Sequence, residues 1–173
     1  MISERRCIIH PVPGFSAQVG HLVSMMEQTR SRTIDVVRDL TVEQFDYLHD
    51  EQSNSIGALL LHMAAVEVLQ QTWSFDNRPL DVRDHQTWGV ALELGENARK
   101  EICGHTAAVY IDRLRAVRER TIEELRRRDD IWLYEEIPSR SMNQYFRWFH
   151  VLEDEISHRG QIKWLLRRST IQH

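Results

Sequence analysis

The stretch from Ser141 to Arg168, SMNQYFRWFHVLEDEISHRGQIKWLLRR, decides the fold. Its apolar residues Tyr145, Trp148, Val151, Leu152, Ile156, Ile162 and Leu165 fall mostly three or four apart, which is the period of an α-helix. Phe146, Phe149 and Leu166 widen the apolar surface around much of the circumference. Such a helix is buried on more than one side. One side is expected to face a helical bundle and another a second subunit, so a homodimer is expected.

Three more stretches carry the same period. The first runs from about Ser16 to Leu40 through Val19, Leu22, Val23, Met26, Thr33 and Val37. Thr41, followed by Glu43 and Gln44, then has the character of an N-cap for a short turn through Tyr47. The second long helix is capped by Asn54 or Ser55 and reaches about Phe75, where Asn77 and Pro79 stop it. The third, from His105 to about Arg128, sets Ala107, Ile111, Leu114, Val117, Thr121 and Leu125 on one stripe. Between the second and third, the apolar residues Trp88, Val90, Leu92 and Leu94 suit one or two short helices in a long crossover. Asp129 and Asp130 open a connection that ends at Pro138 and Ser139. The expectation is an all-α protein, a four-helix bundle with a long crossover between helices 2 and 3. It forms a single domain over residues 1–173 with an N-terminal arm over 1–15.

A chain of 173 residues, 42% hydrophobic and 28% charged with only 7 Gly and 4 Pro, can bury its own core and is neither collagen-like nor disordered. The apolar run Ile56 to Leu61 falls far short of the roughly 20 residues a membrane helix requires. Mixed charge in Met1 to Arg6, followed by Pro11 and Pro13, argues against a secretory leader, so a cytoplasmic location is expected. Lys+Arg 22 against Asp+Glu 26 gives a net charge of -4, which argues against nucleic acid as a partner. Arg113 to Arg128 reads as a solvated helix face laced with i,i+4 pairs. Cys7 and Cys103 lack C-x-x-C spacing and signal neither a thiolate zinc site nor a disulfide framework.

Polar residues stand where core is expected. Leu59, His62, Val66, Leu69 and Trp73 share one face of the second helix, and Val151, Asp154, His158, Ile162 and Leu165 share one face of the last. A buried carboxylate is costly unless it is paired or coordinates a cation. Two imidazoles and one carboxylate make a three-ligand set that zinc accepts at about 2.0–2.2 Å with a fourth position open. The i,i+4 spacing lets Asp154 and His158 converge on one ion. A second reading is open at this point: His62 as a hydrogen-bonded core histidine and Asp154 with His158 as a structural pair.

The segments NSIGALLLHMAAVE (54–67) and WFHVLEDEISHRGQI (148–162) resemble the DinB/YfiT-like superfamily of metal-binding four-helix bundles, over about Pro13 to Arg168. The resemblance implies a metal held by one histidine on the second helix and two residues four apart on the last, at positions matching His62, Asp154 and His158. Asp154 departs from the common histidine, as in the mycothiol-dependent branch. It lowers the charge of an occupied site from +2 to +1 and makes the ion a weaker Lewis acid. Zinc, nickel and iron(II) all suit two histidines and a carboxylate. His150, one turn before Asp154, is a candidate to support the site from behind or to stand outside it, and Gln161, one turn past His158, is a candidate to bond a ligand carboxylate or a metal-bound water. Glu67 is assigned to packing or a salt bridge, Arg159 to pairing between helices, Gly160 to close helix approach, and Trp73, Trp148 and Phe149 to the core.

Two functions follow as expectations. In the first, the chain is a metal-dependent transferase or hydrolase that activates a low-molecular-weight thiol cosubstrate, or water, toward a small-molecule electrophilic substrate. In the second, it is a non-catalytic metal-binding, structural or stress-response module whose ion fastens two helices.

Overall fold

The structure is a computed structural model that describes residues 8–138 and 140–169. Met1 to Arg6, Cys7 and Ser139 lie outside the described residues. Eight helices follow one another: α1 (Ala17–Val37), α2 (Val42–Asp46), α3 (Ile56–Ser74), α4 (Val82–Glu93), α5 (Gly95–Glu101), α6 (Ala107–Leu125), α7 (Asp130–Tyr134) and α8 (Gln144–Ser169). The four long ones are the expected bundle, and α4 and α5 fill the crossover between α3 and α6. Glu136 and Asn143 form an isolated antiparallel bridge, and no strand forms among the described residues.

Local chemistry sets the helix starts. Thr41 and Gln44 form a reciprocal capping box at α2. At α3, the Ser55 hydroxyl accepts from the Ala58 amide at 3.1 Å. From there α3 buries Ala58, Leu59, Leu60, Met63, Ala64 and Ala65, and it packs on α4, α6 and α8. Gly57 sets the approach of α3 to α6, because a Cβ there would lie 2.2 Å from the Tyr110 hydroxyl. The core has two parts. One joins α2, α3 and α6 to Ile162 and Leu165 of α8. The other joins Val19, Leu22 and Met26 of α1 to Leu133, Trp148 and Val151, with Phe75 stacked on Trp148 at 4.9 Å.

The connection after Asp129 is more ordered than expected, since α7 forms within it. Asp129 caps it by accepting from the Trp132 amide at 2.9 Å. Asp130 reaches back to the start of α1, where its Oδ1 accepts from the Ser16 hydroxyl at 2.6 Å and from the amides of Gln18 at 2.9 Å and Val19 at 3.1 Å. A carboxylate at a helix N-terminus satisfies orphan donors and opposes the positive end of the dipole.

The run Arg113 to Arg128 is not wholly a solvated face. Arg118 points inward and joins a buried ionic cluster to which α1, α3, α6 and α8 each contribute one residue: Arg30, Glu67, Arg118 and Glu155, none more than 4% exposed. Arg118 meets Glu67 at 2.7 Å and Glu155 at 3.3 Å, and Arg30 meets Glu67 at 2.9 Å and Glu155 at 3.0 Å. The Thr121 hydroxyl donates to Glu67 at 2.6 Å. Two cations and two anions balance, so the cluster clamps the four long helices without net charge.

Some of the expected packing is corrected. Phe149 and Ile156 are about half exposed, because they border an open groove against Met25 and Thr29 of α1 and are not packed into the core. Gly160 faces open space instead of a close helix neighbour. Trp73 is only partly buried. Arg159 does bridge helices, donating to the Thr29 carbonyl at 3.0 Å.

Candidate metal centre

The antiparallel seam between α3 and α8 brings His62 against Asp154 and His158. One donor atom from each lies within 4.8 Å of the others. The approach is through the outer nitrogens: His158 Nε2 lies 3.3 Å and His62 Nε2 3.8 Å from Asp154 Oδ1. The two rings meet edge to face with centroids 4.9 Å apart. Each side chain is 13–14% exposed, dry enough to strengthen electrostatics and open enough for exchange with solvent.

Each imidazole is also held from behind. His62 Nδ1–H donates to the Ala91 carbonyl at 2.9 Å. Ala91 lies in the last turn of α4, where carbonyls lack helical partners. Leu94, at φ 57°, turns the chain into α5 just beyond it. Gly95 then donates to Asn54 at 3.0 Å, tying this turn to the loop before α3. The crossover therefore orients the His62 ring, a role that no motif in its sequence announces. His158 Nδ1–H donates to Gln161 Oε1 at 3.3 Å. Such outer bonds fix the tautomer and leave Nε2 to act as a ligand.

Gln161 thus meets His158 directly. His150 stands apart: it is about half exposed and turned toward Glu153 at 3.3 Å. Burial disfavours the His158 cation, but the hydrogen bond and charge of Asp154 and the bond to Gln161 outweigh it and hold the imidazole pKa above its ordinary value. A proton and a cation compete for the same Nε2 lone pair. Two imidazoles, each oriented by its own partner, and a carboxylate between them fit a divalent transition ion and do not distinguish among zinc, nickel and iron.

Beside this group lies a cleft of about 530 Å³, lined by Gln52, Ser53, Asn54, Leu59, Gln161 and Trp164 among others. Leu59 precedes His62 by one turn, and Gln161 is the residue that bonds His158, so the cleft lies on the same seam one turn from the donors, none of which lines it. Its size suits a small ligand.

Sequence reasoning missed the buried ionic cluster, although a signal was present. Arg30 falls in the series Met26, Arg30, Thr33, Val37, and Arg118 in the series Leu114, Arg118, Thr121, Leu125, both at helical spacing. A charge on an apolar stripe is the same signal that singled out His62.

The DinB family model matches residues 15–169. No curated protein matches the chain. Among solved structures, the crystal structure of a conserved protein from Enterococcus faecalis is similar, with a TM-score of 0.68 and 19% identity over 85% of this chain and 94% of that one. At that identity the likeness carries the fold alone.

Proposed function

The chain belongs to the DinB family, and on that premise we propose that it is a cytoplasmic metal-dependent enzyme. His62, Asp154 and His158 hold one divalent transition-metal ion, zinc foremost. The site serves transfer of a low-molecular-weight thiol, or of water, to a small electrophilic substrate. The observation that carries the reading is the convergence of two oriented Nε2 atoms on one carboxylate oxygen. When bound, the ion supplies an open coordination position at which a thiol or water loses its proton near neutral pH. Asp154 lowers the charge of the site, Gln161 and Ala91 hold the imidazoles in the binding tautomer, and the neighbouring cleft admits the substrate.

The non-catalytic alternative asks the ion to fasten α3 to α8. The buried cluster of Glu67 and Glu155 with the two arginines already joins those helices, which favours a chemical role for the ion. Protein loaded with zinc or nickel should catalyse loss of chloride from chlorodinitrobenzene with one of glutathione, bacillithiol or mycothiol. Turnover should fall to background in His158→Ala. A metal-loaded protein silent with every thiol would remove the transferase reading and leave hydrolysis or the structural role.

The exposed side of α8 is assigned to a second copy of the chain. Phe149 and Ile156 border, with Ile9 and Met25, an apolar groove of about 300 Å³. Sedimentation equilibrium should give a dimer for the natural sequence and a monomer for Ile156→Glu. A monomeric natural sequence would sink the assignment.

A further inference from the structure

A second hollow, of about 460 Å³, opens near the other end of the α3–α8 seam, lined by Trp73, Arg78, Glu135, Glu136, Arg140, Gln144 and Arg147 among others. Trp73 lies three turns along α3 from His62, about 16 Å at 1.5 Å per residue, so this hollow is separate from the candidate metal centre.

Arg147 is only 6% exposed, yet its Nε finds no acceptor among the described residues. It lies against an aromatic ring, Trp73, and a like charge, Arg140. The Trp73 ring lies 5.6 Å from its guanidinium carbon and 4.7 Å from that of Arg140. Burial and the Arg140 charge both push the Arg147 pKa down. This contrasts with Arg30 and Arg118, which are buried to a similar depth but meet two carboxylates each. Arg78 is already committed to Asp84, and also lies near Asp76 and Asp81. A buried cation without a counter-ion is disfavoured, and a guanidinium fork is suited to a planar carboxylate.

Two further features narrow the ligand. Gln144 lines the same hollow with its Oε1 buried and unpartnered among the described residues, so it can accept from a donor on the ligand. Glu135 and Glu136 stand exposed at the rim and oppose a second negative charge. We propose that this hollow binds a small monocarboxylate bearing an adjacent hydroxyl or amine, with Arg147 and Arg140 on the carboxylate and Gln144 on the donor.

The test uses lactate, propionate and inorganic phosphate as probes at constant ionic strength. The Arg147 Nε–H resonance and the melting temperature are the readouts. Lactate should shift the resonance saturably and raise the melting temperature, with propionate weaker. The exposed Arg140→Ala should lose about tenfold in affinity, the scale of one charge-assisted hydrogen bond. Arg147→Met should melt above the natural protein, having lost an unpaired buried charge, and should no longer respond to lactate. His62→Ala should keep the full response, which separates this site from the metal reading. No saturable shift with lactate, a response unchanged in Arg140→Ala, or tighter binding of phosphate than of lactate would each overturn the proposal.

Discussion

Glu67→Ala is expected to destabilise the protein by about 3–5 kcal/mol, the usual cost of removing one partner from a buried ion pair. Glu67 is fully buried and meets both Arg30 and Arg118, so its removal leaves two guanidinium groups in the core with only Glu155 between them. The double variant Glu67→Met with Arg118→Met removes one charge of each sign and leaves Arg30 with Glu155. It should recover much of the loss. Urea unfolding measures both, and a single variant within about 1 kcal/mol of the natural protein would show that the cluster does not clamp the bundle.

The same carboxylate sets an acid limit. Burial disfavours its charged form, but Arg118 and Arg30 outweigh burial and hold its pKa at about 2 against an ordinary 4.5. Because the folded value is depressed, the contribution is complete above about pH 4.5 and is lost as pH falls toward 2. Stability of the natural protein should therefore drop through that window, and Glu67→Ala should show a shallower drop there.

The long helices were legible because each repeats apolar residues at three and four over five turns or more, which no loop sustains. By contrast α7 is five residues long, too short for a period. Its Asp129 and Asp130 have the composition of a turn, while their bonds go to Trp132 and to the start of α1. Among charged residues, the opaque ones were those embedded in charged surroundings. Arg118 lies among Arg115, Glu119 and Arg120, and its inward direction shows only when Leu114, Thr121 and Leu125 are laid on the same stripe. His62 is preceded by five apolar residues and glycine, so its place on the stripe with Leu59 and Val66 stands out at once. The Ala91 carbonyl could not be read at all, because a backbone acceptor leaves no trace in residue identity. The pairing of Arg147 with Trp73 joins residues far apart in the chain and depends on the antiparallel register of α3 and α8.

His62→Ala and His158→Ala should each lower bound transition metal from near one ion per chain to background, a loss of more than about 100-fold in affinity. Changing only a residue that orients a ligand costs about 10–100-fold, and Gln161→Ala should fall in that smaller range. Asp154→His should retain the ion and raise the charge of the occupied site, since a neutral donor replaces the carboxylate. The pH dependence follows from His158. Its folded pKa lies above the ordinary value of about 6.5, held there by Asp154 and Gln161 against burial. Without metal, this group contributes stability that is present below about pH 6.5 and lost as pH rises through the folded pKa. Saturating zinc reverses the trend, because the ion requires the unprotonated Nε2 and its affinity climbs over the same interval. Elemental analysis of protein purified without a metal-affinity step, together with melting curves on either side of neutrality, reads both effects. Metal content unchanged in both histidine variants would leave His62 and His158 as a hydrogen-bonded pair around Asp154, with no ion to explain their meeting.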